Sequence, residues 1–155
     1  MFDNYLIRAD SLHNEMIDGQ IVGFTMAVRI ANYRGVFLSL HTGYHISVDG
    51  VVYPRKAQSF AVNGVPPRSF DAIKSAVWEH WDFDDEAVLH IRKPGGLLPG
   101  VHEVAFQQCV IAAYGYMPTD ADWVKEPPVP GTGAGSDKTP QVITYHLTLT
   151  DRPEA

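Results

Sequence analysis

The sequence predicts an all-β fold, an antiparallel and jelly-roll-like β-sandwich with one short helix, in a single domain over residues 1–155. Three observations lead to this prediction. Apolar residues recur at every second position in much of the chain, Asp-Gly and Asn-Gly turn signals separate these runs, and only one segment has helical spacing. Short strands at regular intervals are typical of sandwiches and barrels.

The first clear strand begins at Phe24, where large apolar residues alternate with smaller or polar ones as far as Ala31. The Asp18-Gly19 dipeptide before it indicates a tight hairpin. A second alternating run, 36–48, places its large apolar residues on one face and its serines and histidines on the other. Asp49-Gly50 then returns the chain into a strand at 51–53.

The segment 69–78 is the one candidate for a helix. Phe70, Ile73 and Val77 are spaced by three and four residues, and Ser69 is available as an N-cap. This spacing predicts a helix of two to three turns.

The remaining strands follow the same reasoning. One strand ends at the Asn63-Gly64 turn, and another contains Leu89 and Ile91. A long strand is predicted from about Val101 to Tyr116, and the final run, 143–150, alternates cleanly.

Residues 118–140 interrupt the pattern with prolines, glycines and small polar residues. Proline removes the hydrogen-bond donors that a sheet needs, so we predict an irregular loop within the domain. A solvated surface loop is one interpretation. Trp123 and Val124 favour the other, a lid or docking arm, because a solvated linker has little use for a large aromatic side chain.

Composition excludes several classes of function. The formal net charge of -6 argues against non-specific nucleic-acid binding, which depends on Lys and Arg. We find no apolar run long enough to span a membrane and no secretory signal in the first residues, so we expect a cytoplasmic protein. The one cysteine, Cys109, lies in an apolar run and is interpreted as a small buried hydrophobe.

The histidines are the natural candidates for a metal site. His41 and His45 are expected to share one face of a strand, roughly 13 Å apart, which is too far for one metal ion unless the Thr42-Gly43 step makes a sharp bend. Serine nucleophile and phosphate-binding motifs are absent from the sequence. We therefore expect no catalytic residue, metal or cofactor in this chain, with a metalloenzyme using both histidines as a competing hypothesis.

Aromatic residues leave a further alternative open, a stand-alone carbohydrate-binding β-sandwich that stacks sugars on Trp78, Trp81 or Trp123. Core packing at the edge of the sandwich is the favoured role for Trp78, Trp81 and Phe83. The acidic residues Asp82, Asp84, Asp85 and Glu86 are interpreted as a solvated turn.

Five motif blocks together resemble the small (beta) subunit family of bacterial C-glycoside deglycosidases. In chain order they are Gly23-Phe24 through Arg29-Ile30, Asn32-Tyr33-Arg34-Gly35 with Leu38-Ser39, Val48-Asp49-Gly50, Ile91-Arg92-Lys93-Pro94-Gly95-Gly96-Leu97, and Pro99-Gly100 with His102-Glu103-Val104. The resemblance covers roughly residues 1–117 and the final strand, and the 118–140 segment departs from it.

The resemblance implies a β-sandwich that assembles with a larger, TIM-barrel-type subunit. That subunit would hold a divalent metal, typically manganese, and the acid–base residues. The complex would cleave the sugar–aglycone C–C bond of a 3-keto-C-glycoside, because the ketone acidifies the neighbouring C–H. In this chain we expect five residues to contact the partner or line the cleft, namely Arg29, Tyr33, Arg34, Lys93 and Trp123. The alternative role for Arg34-Gly35 and Pro94–Gly96 is to shape turns.

Overall fold

A computed structural model describes residues 6–30, 35–76, 78–82, 84–110 and 143–149. Over these residues the predicted all-β sandwich with one short helix is confirmed. In chain order the elements are β1 (His13–Ile17), β2 (Gln20–Val28), β3 (Val36–Phe37), β4 (His41–Val48), β5 (Val51–Val52), β6 (Gln58–Ala61), β7 (Arg68–Ser69), α1 (Phe70–Ile73), β8 (His80–Trp81), β9 (Ala87–Arg92), β10 (Gly100–Val110) and β11 (Ile143–Leu149).

The strands form two large antiparallel sheets and one small one. The first sheet has the order β1-β2-β9-β6-β7, the second has the order β11-β10-β4-β5, and β3 pairs with β8. The chain passes from one large sheet to the other between β2 and β4, between β5 and β6, and between β9 and β10. Strands that are distant in sequence therefore become neighbours, as in a jelly roll.

The predicted hairpins are present, and their backbone explains the residues found there. Asp18 and Asp49 have φ of 52° and 52°, and the glycines after them have φ of 78° and 84°. Two successive residues with positive φ make a type I′ turn, which matches the twist of the strands it joins. The pairs that close these turns are Ile17 with Gln20 and Val48 with Val51.

The core lies between the two large sheets and contains apolar side chains from both. Tyr44 of β4 packs its ring 4.7 Å from that of Phe106 in its own sheet and 6.3 Å from that of Phe60 in the other. Each fully buried side chain of this size stabilises the fold by about 1.5–3 kcal/mol.

A β-bulge in β4 reverses the expected alternation. Cys109 of β10 pairs with Gly43 and Val110 pairs with His41, which leaves Thr42 as the extra residue. His41 therefore joins Tyr44 on the core face, where their ring centroids are 4.8 Å apart. The expectation that His41 and His45 share a face is wrong for this reason.

Helix α1 is shorter than predicted. Ser69 caps it as expected, because its Oγ accepts a hydrogen bond from the N–H of Ala72 at 3.1 Å. The helix ends at Ile73, after one turn, and its buried side chains are those of Phe70 and Ile73. Within the described residues no helix has the length and hydropathy to cross a bilayer.

The long strand before the 118–140 segment is described as far as Val110. The predicted continuation to Tyr116 and the predicted irregular loop at 118–140 lie outside the described residues.

Candidate functional site: the turn end of the sandwich

Three connections meet at one end of the sandwich, which we call the turn end. They are the Asp18-Gly19 turn, the Asp49-Gly50 turn, and the crossover 93–99 from β9 to β10. Antiparallel pairing brings them together, because β2 and β10 start where β4 and β9 finish. Two of the sequence motifs, Val48-Asp49-Gly50 and the glycine-rich block after Ile91, thus become neighbours in space.

One side of the crossover is held by Asn14 of β1. Its Nδ2 donates to the carbonyl of Leu97 at 2.9 Å, and its Oδ1 accepts from the N–H of Leu97 at 2.8 Å. The N–H groups of Lys93 and Gly95 donate to carbonyls of β2 at 2.9 and 3.0 Å. The crossover is therefore fixed to the first hairpin by backbone and side-chain bonds.

Gly96 is required by this arrangement. Its φ is 65°, and a Cβ at this position would overlap the Asn14 amide and lie 2.6 Å from Cγ2 of Ile21. Only glycine allows the crossover to approach the hairpin so closely. This agrees with the alternative role given above for Pro94–Gly96, which is to shape a turn.

The other side of the crossover is held by His102 of β10, which is 8% exposed. Its Nδ1 lies 2.6 Å from Oδ2 of Asp49, and its Nε2 lies 2.6 Å from the carbonyl oxygen of Leu98. Asp49 also accepts from the N–H of Glu103 at 2.9 Å through Oδ1. One imidazole thus joins the second hairpin, the crossover and β10.

These contacts shift two pKa values. The hydrogen bond from His102, followed by the one from the Glu103 N–H, lowers the pKa of the Asp49 carboxyl below its usual range. For His102, burial alone lowers the pKa, but the hydrogen bonds with Asp49 and Leu98 and the charge of Asp49 outweigh burial and raise it. Both shifts favour the charged form of each group.

The turn end is also where exposed aliphatic side chains concentrate. Six of the eight large exposed hydrophobic residues in the described part of the chain lie there: Met16, Ile17, Val51, Val52, Leu98 and Val101. Leu98 is 79% exposed and Val101 is 66% exposed. Exposed apolar residues that gather in one region are typical of an interaction surface.

The opposite end, which we call the aromatic end, contains the other two, Phe37 and Trp78. Trp78 is 89% exposed, so the core role predicted for it is wrong, and Phe83 lies outside the described residues. The Phe37 ring meets the His80 ring edge-on at 5.1 Å, and Nδ1 of His80 lies 2.6 Å from Oδ1 of Asp82. The two ends thus differ in chemistry, aliphatic at one and aromatic with a histidine–carboxylate pair at the other.

The predicted contact residues that the structure describes, Arg29 and Lys93, lie at different ends. Lys93 is at the turn end, whereas Arg29 follows β2 and forms an ion pair with Glu86 at 3.0 Å. The length of β9 separates them by roughly 20 Å. Tyr33, Arg34 and Trp123 lie outside the described residues, so their predicted contacts stay predictions.

The tryptophan and histidine alternatives are resolved in part. Trp81 is fully buried and donates from Nε1 to the carbonyl of Asp85 at 2.9 Å, so its core role is confirmed and it presents no stacking face. His41 is also fully buried, and burial lowers its pKa to about 3. In the described ranges, no three His, Cys, Asp or Glu side chains are grouped as metal ligands would be.

Sequence reasoning missed the contacts that hold the turn end together. Asp49 and His102 are 53 positions apart, and Asn14 and Leu97 are 83 apart. The Asp49-Gly50 turn and the Pro99–Val104 motif were both recognised, but neither pattern indicates its spatial partner.

Comparison with known proteins gives the family. The family model for the C-glycoside deglycosidase beta subunit matches residues 2–114, which is more than half of the chain. The C-glycoside deglycosidase beta subunit of Eubacterium cellulosolvens is 31% identical over 97 residues, 63% of this chain and 65% of that relative. The matched stretch thus spans just under two thirds of the relative's length. The chain belongs to the family of C-glycoside deglycosidase beta subunits.

Proposed function

We propose that this chain is the non-catalytic small subunit of a heteromeric C-glycoside deglycosidase whose active site lies mainly on a larger subunit. The observation that carries this proposal is the family match over residues 2–114, which includes every strand from β1 to β10. A beta subunit works in association with an enzyme and has a partner subunit. The turn end, with its exposed aliphatic side chains, supplies a surface suited to such a partner.

The proposed reaction is a metal-dependent lyase reaction on a 3-keto-C-glycoside. The ketone acidifies the adjacent C–H, so a base can remove that proton. The released electron pair forms a C=C bond in the sugar as the C–C bond to the aglycone breaks, and an acid protonates the departing aglycone carbon. A divalent metal, manganese in our proposal, would stabilise the enolate. We assign the base and the metal to a TIM-barrel-type partner.

The role of this chain is then structural. We propose that Arg29, Tyr33, Arg34, Lys93 and Trp123 contact the partner or line the cleft between subunits. We propose a cytoplasmic location for the complex, which is compatible with a chain whose one cysteine cannot form an internal disulfide.

Co-expression tests the proposal. The chain is produced together with the product of the neighbouring reading frame, which we expect to be a TIM-barrel protein, and the mixture is examined by size exclusion and by turnover of a 3-keto-C-glycoside. We expect co-elution at micromolar concentration and activity only when both chains are present. Separate elution, or full activity of the larger protein alone, would contradict the proposal.

The exposure of Trp78 favours testing one second function, that of a stand-alone carbohydrate-binding module. Calorimetry of the isolated chain against a panel of aryl glycosides decides between the two. Heat of binding that disappears in Trp78→Ala, but persists in the matched variant Leu98→Ala at the other end, would establish the binding module. No heat across the panel would reject it.

A further inference from the structure

The surroundings of His102 determine where its protons are. Nε2 is 2.6 Å from the carbonyl oxygen of Leu98, and a backbone carbonyl only accepts hydrogen bonds. Nε2 must therefore carry a proton. Nδ1 is 2.6 Å from a carboxylate oxygen of Asp49. Whether Nδ1 also carries a proton depends on whether that carboxyl group is ionised.

The Asp49 carboxyl group is ionised. Its side chain is 50% exposed and its other oxygen accepts from the N–H of Glu103, so the carboxyl group is well solvated and hydrogen-bonded as an anion. An ionised carboxylate has no proton to donate. Nδ1 therefore donates as well, and an imidazole with both nitrogens protonated carries a positive charge.

We propose that His102 is a cationic bridge that joins the Asp49-Gly50 hairpin to the 93–99 crossover, and that loss of its proton opens the turn end. A neutral imidazole has one N–H and keeps only one of the two bonds. Deprotonation therefore detaches either Leu98 or Asp49. Because Leu98 and Val101 flank the bridge, the arrangement of the exposed aliphatic residues depends on this proton.

Four other titratable groups lie near the bridge. Glu103 on β10 faces His146 of β11, with 3.8 Å between Oε2 and Nε2, and both side chains are exposed. Lys93 lies on the crossover itself. Burial and the negative charge of Asp49 raise the pKa of the Tyr53 phenol, so this group stays neutral while His102 titrates. Among the described residues, Asp49 is the charged group in direct contact with the imidazole.

The bridge predicts a pH window. The pKa of His102 is raised above the ordinary histidine value of 6.5, since the bonds with Asp49 and Leu98 outweigh the opposing effect of burial. The turn end is thus closed at pH 6.5, where Asp49 is ionised and His102 is protonated, and it opens as the pH rises through the higher pKa of His102 in the folded state.

Nuclear magnetic resonance of the full-length chain tests the bridge. Long-range ¹H–¹⁵N spectra distinguish doubly protonated imidazole from either neutral tautomer, and His102→Gln assigns the signal. We expect both nitrogens of His102 to be protonated at pH 6.5, with a titration midpoint above that value. A neutral tautomer at pH 6.5, or a midpoint below it, would overturn the proposal.

A pair of variants locates the cause. Asp49→Asn is expected to lower the midpoint of His102, whereas His146→Gln, which alters an exposed histidine on the neighbouring strand, is expected to leave it unchanged. An unchanged midpoint in Asp49→Asn would also overturn the bridge. If Asp49→Asn does not fold, the titration of the unaltered chain still decides. These measurements need neither partner nor substrate, so their failure would leave the proposed function standing.

Discussion

His41 and His102 are both buried histidines, but the sandwich surrounds them with opposite kinds of atoms. The ring centroid of His41 lies 4.6 Å from that of Phe60 and 5.1 Å from that of Phe70, and neither of its nitrogens has a hydrogen-bond partner in the described part of the chain. His102 has an oxygen 2.6 Å from each nitrogen. Burial alone therefore does not set the charge of an imidazole. The hydrogen-bond partners of its two nitrogens decide whether the ring is neutral or positively charged.

The largest effect is expected from removing the His41 ring. His41→Ala leaves a cavity among aromatic side chains and should lower the free energy of unfolding by about 3–5 kcal/mol at pH 7. Urea unfolding measures the loss. The exposed His146→Ala should change stability by less than about 0.5 kcal/mol, and an equally small loss in His41→Ala would contradict the packing role.

His102→Ala should be the next largest. It removes two hydrogen bonds to a cation and should destabilise the chain by about 2–3 kcal/mol at pH 6.5. Because the pKa of His102 is raised in the folded state, its contribution to the free energy of unfolding is complete below pH 6.5. The contribution is lost as the pH rises through the folded-state pKa. Urea titrations at several pH values should therefore show the two proteins converging in alkali, and a constant difference would argue for packing alone.

His41 is expected to make the free energy of unfolding depend on pH in the acid range. Its folded-state pKa of about 3 lies below the ordinary 6.5, so between these values the unfolded chain binds the proton more tightly and stability falls as pH falls. One such group contributes a slope of up to about 1.4 kcal/mol per pH unit. Urea unfolding from pH 6.5 to 4.5 should show a steeper loss in the unaltered chain than in His41→Phe. Parallel curves would mean that folding does not lower the pKa of His41.

Gly96→Ala sharpens the comparison at the turn end. The added Cβ would overlap Asn14 at a backbone φ of 65°, and we expect a loss of about 1–2 kcal/mol. Gly19→Ala provides a matched control, because it also has positive φ but an added Cβ would meet nothing within 4 Å. Thermal unfolding of both should separate crowding from backbone strain, and equal losses would remove the crowding explanation.

The smallest effect on stability is expected from Arg29→Ala, since a surface ion pair contributes less than about 1 kcal/mol. This variant tests binding to the larger subunit rather than stability. Arg29 and Lys93 mark opposite ends, so the loss of affinity for the larger subunit in Arg29→Ala and in Lys93→Ala, compared by calorimetry, identifies the end that docks. Equal affinity of both variants and the unaltered chain would remove the two residues from the interface.

Local patterns in the sequence predicted much of the fold. The alternation in β2 and β11, the tight hairpins at the Asp-Gly dipeptides and the Ser69 cap depend on neighbours within a few residues, and these predictions are confirmed. Thr42-Gly43 stands out in the sequence as the step where a bend would change the histidine geometry, but the bulge itself could not be predicted, because one extra residue in a strand leaves no mark on composition.

The candidate site was less accessible to sequence reasoning. The resemblance named the right family, and its motifs include Asp49 and His102, but the bond between them depends on where two sheets place strands that are distant in sequence. Arg29 and Lys93 were grouped as contact residues, whereas β9 separates them.

The pairing of β2 with β9 has a consequence for how the chain folds. Gly23 pairs with Arg92, about 70 positions later, and the Asn14–Leu97 bonds close over a similar loop. The hairpin of β1 and β2 can form early, but the free edge of β2 stays uncovered until β9 pairs with it, after most of the chain has been made. Domains built on such distant pairings fold in milliseconds to seconds, more slowly than helical bundles, and their uncovered strands are prone to aggregate. A chain that ends before β9 would keep that edge exposed.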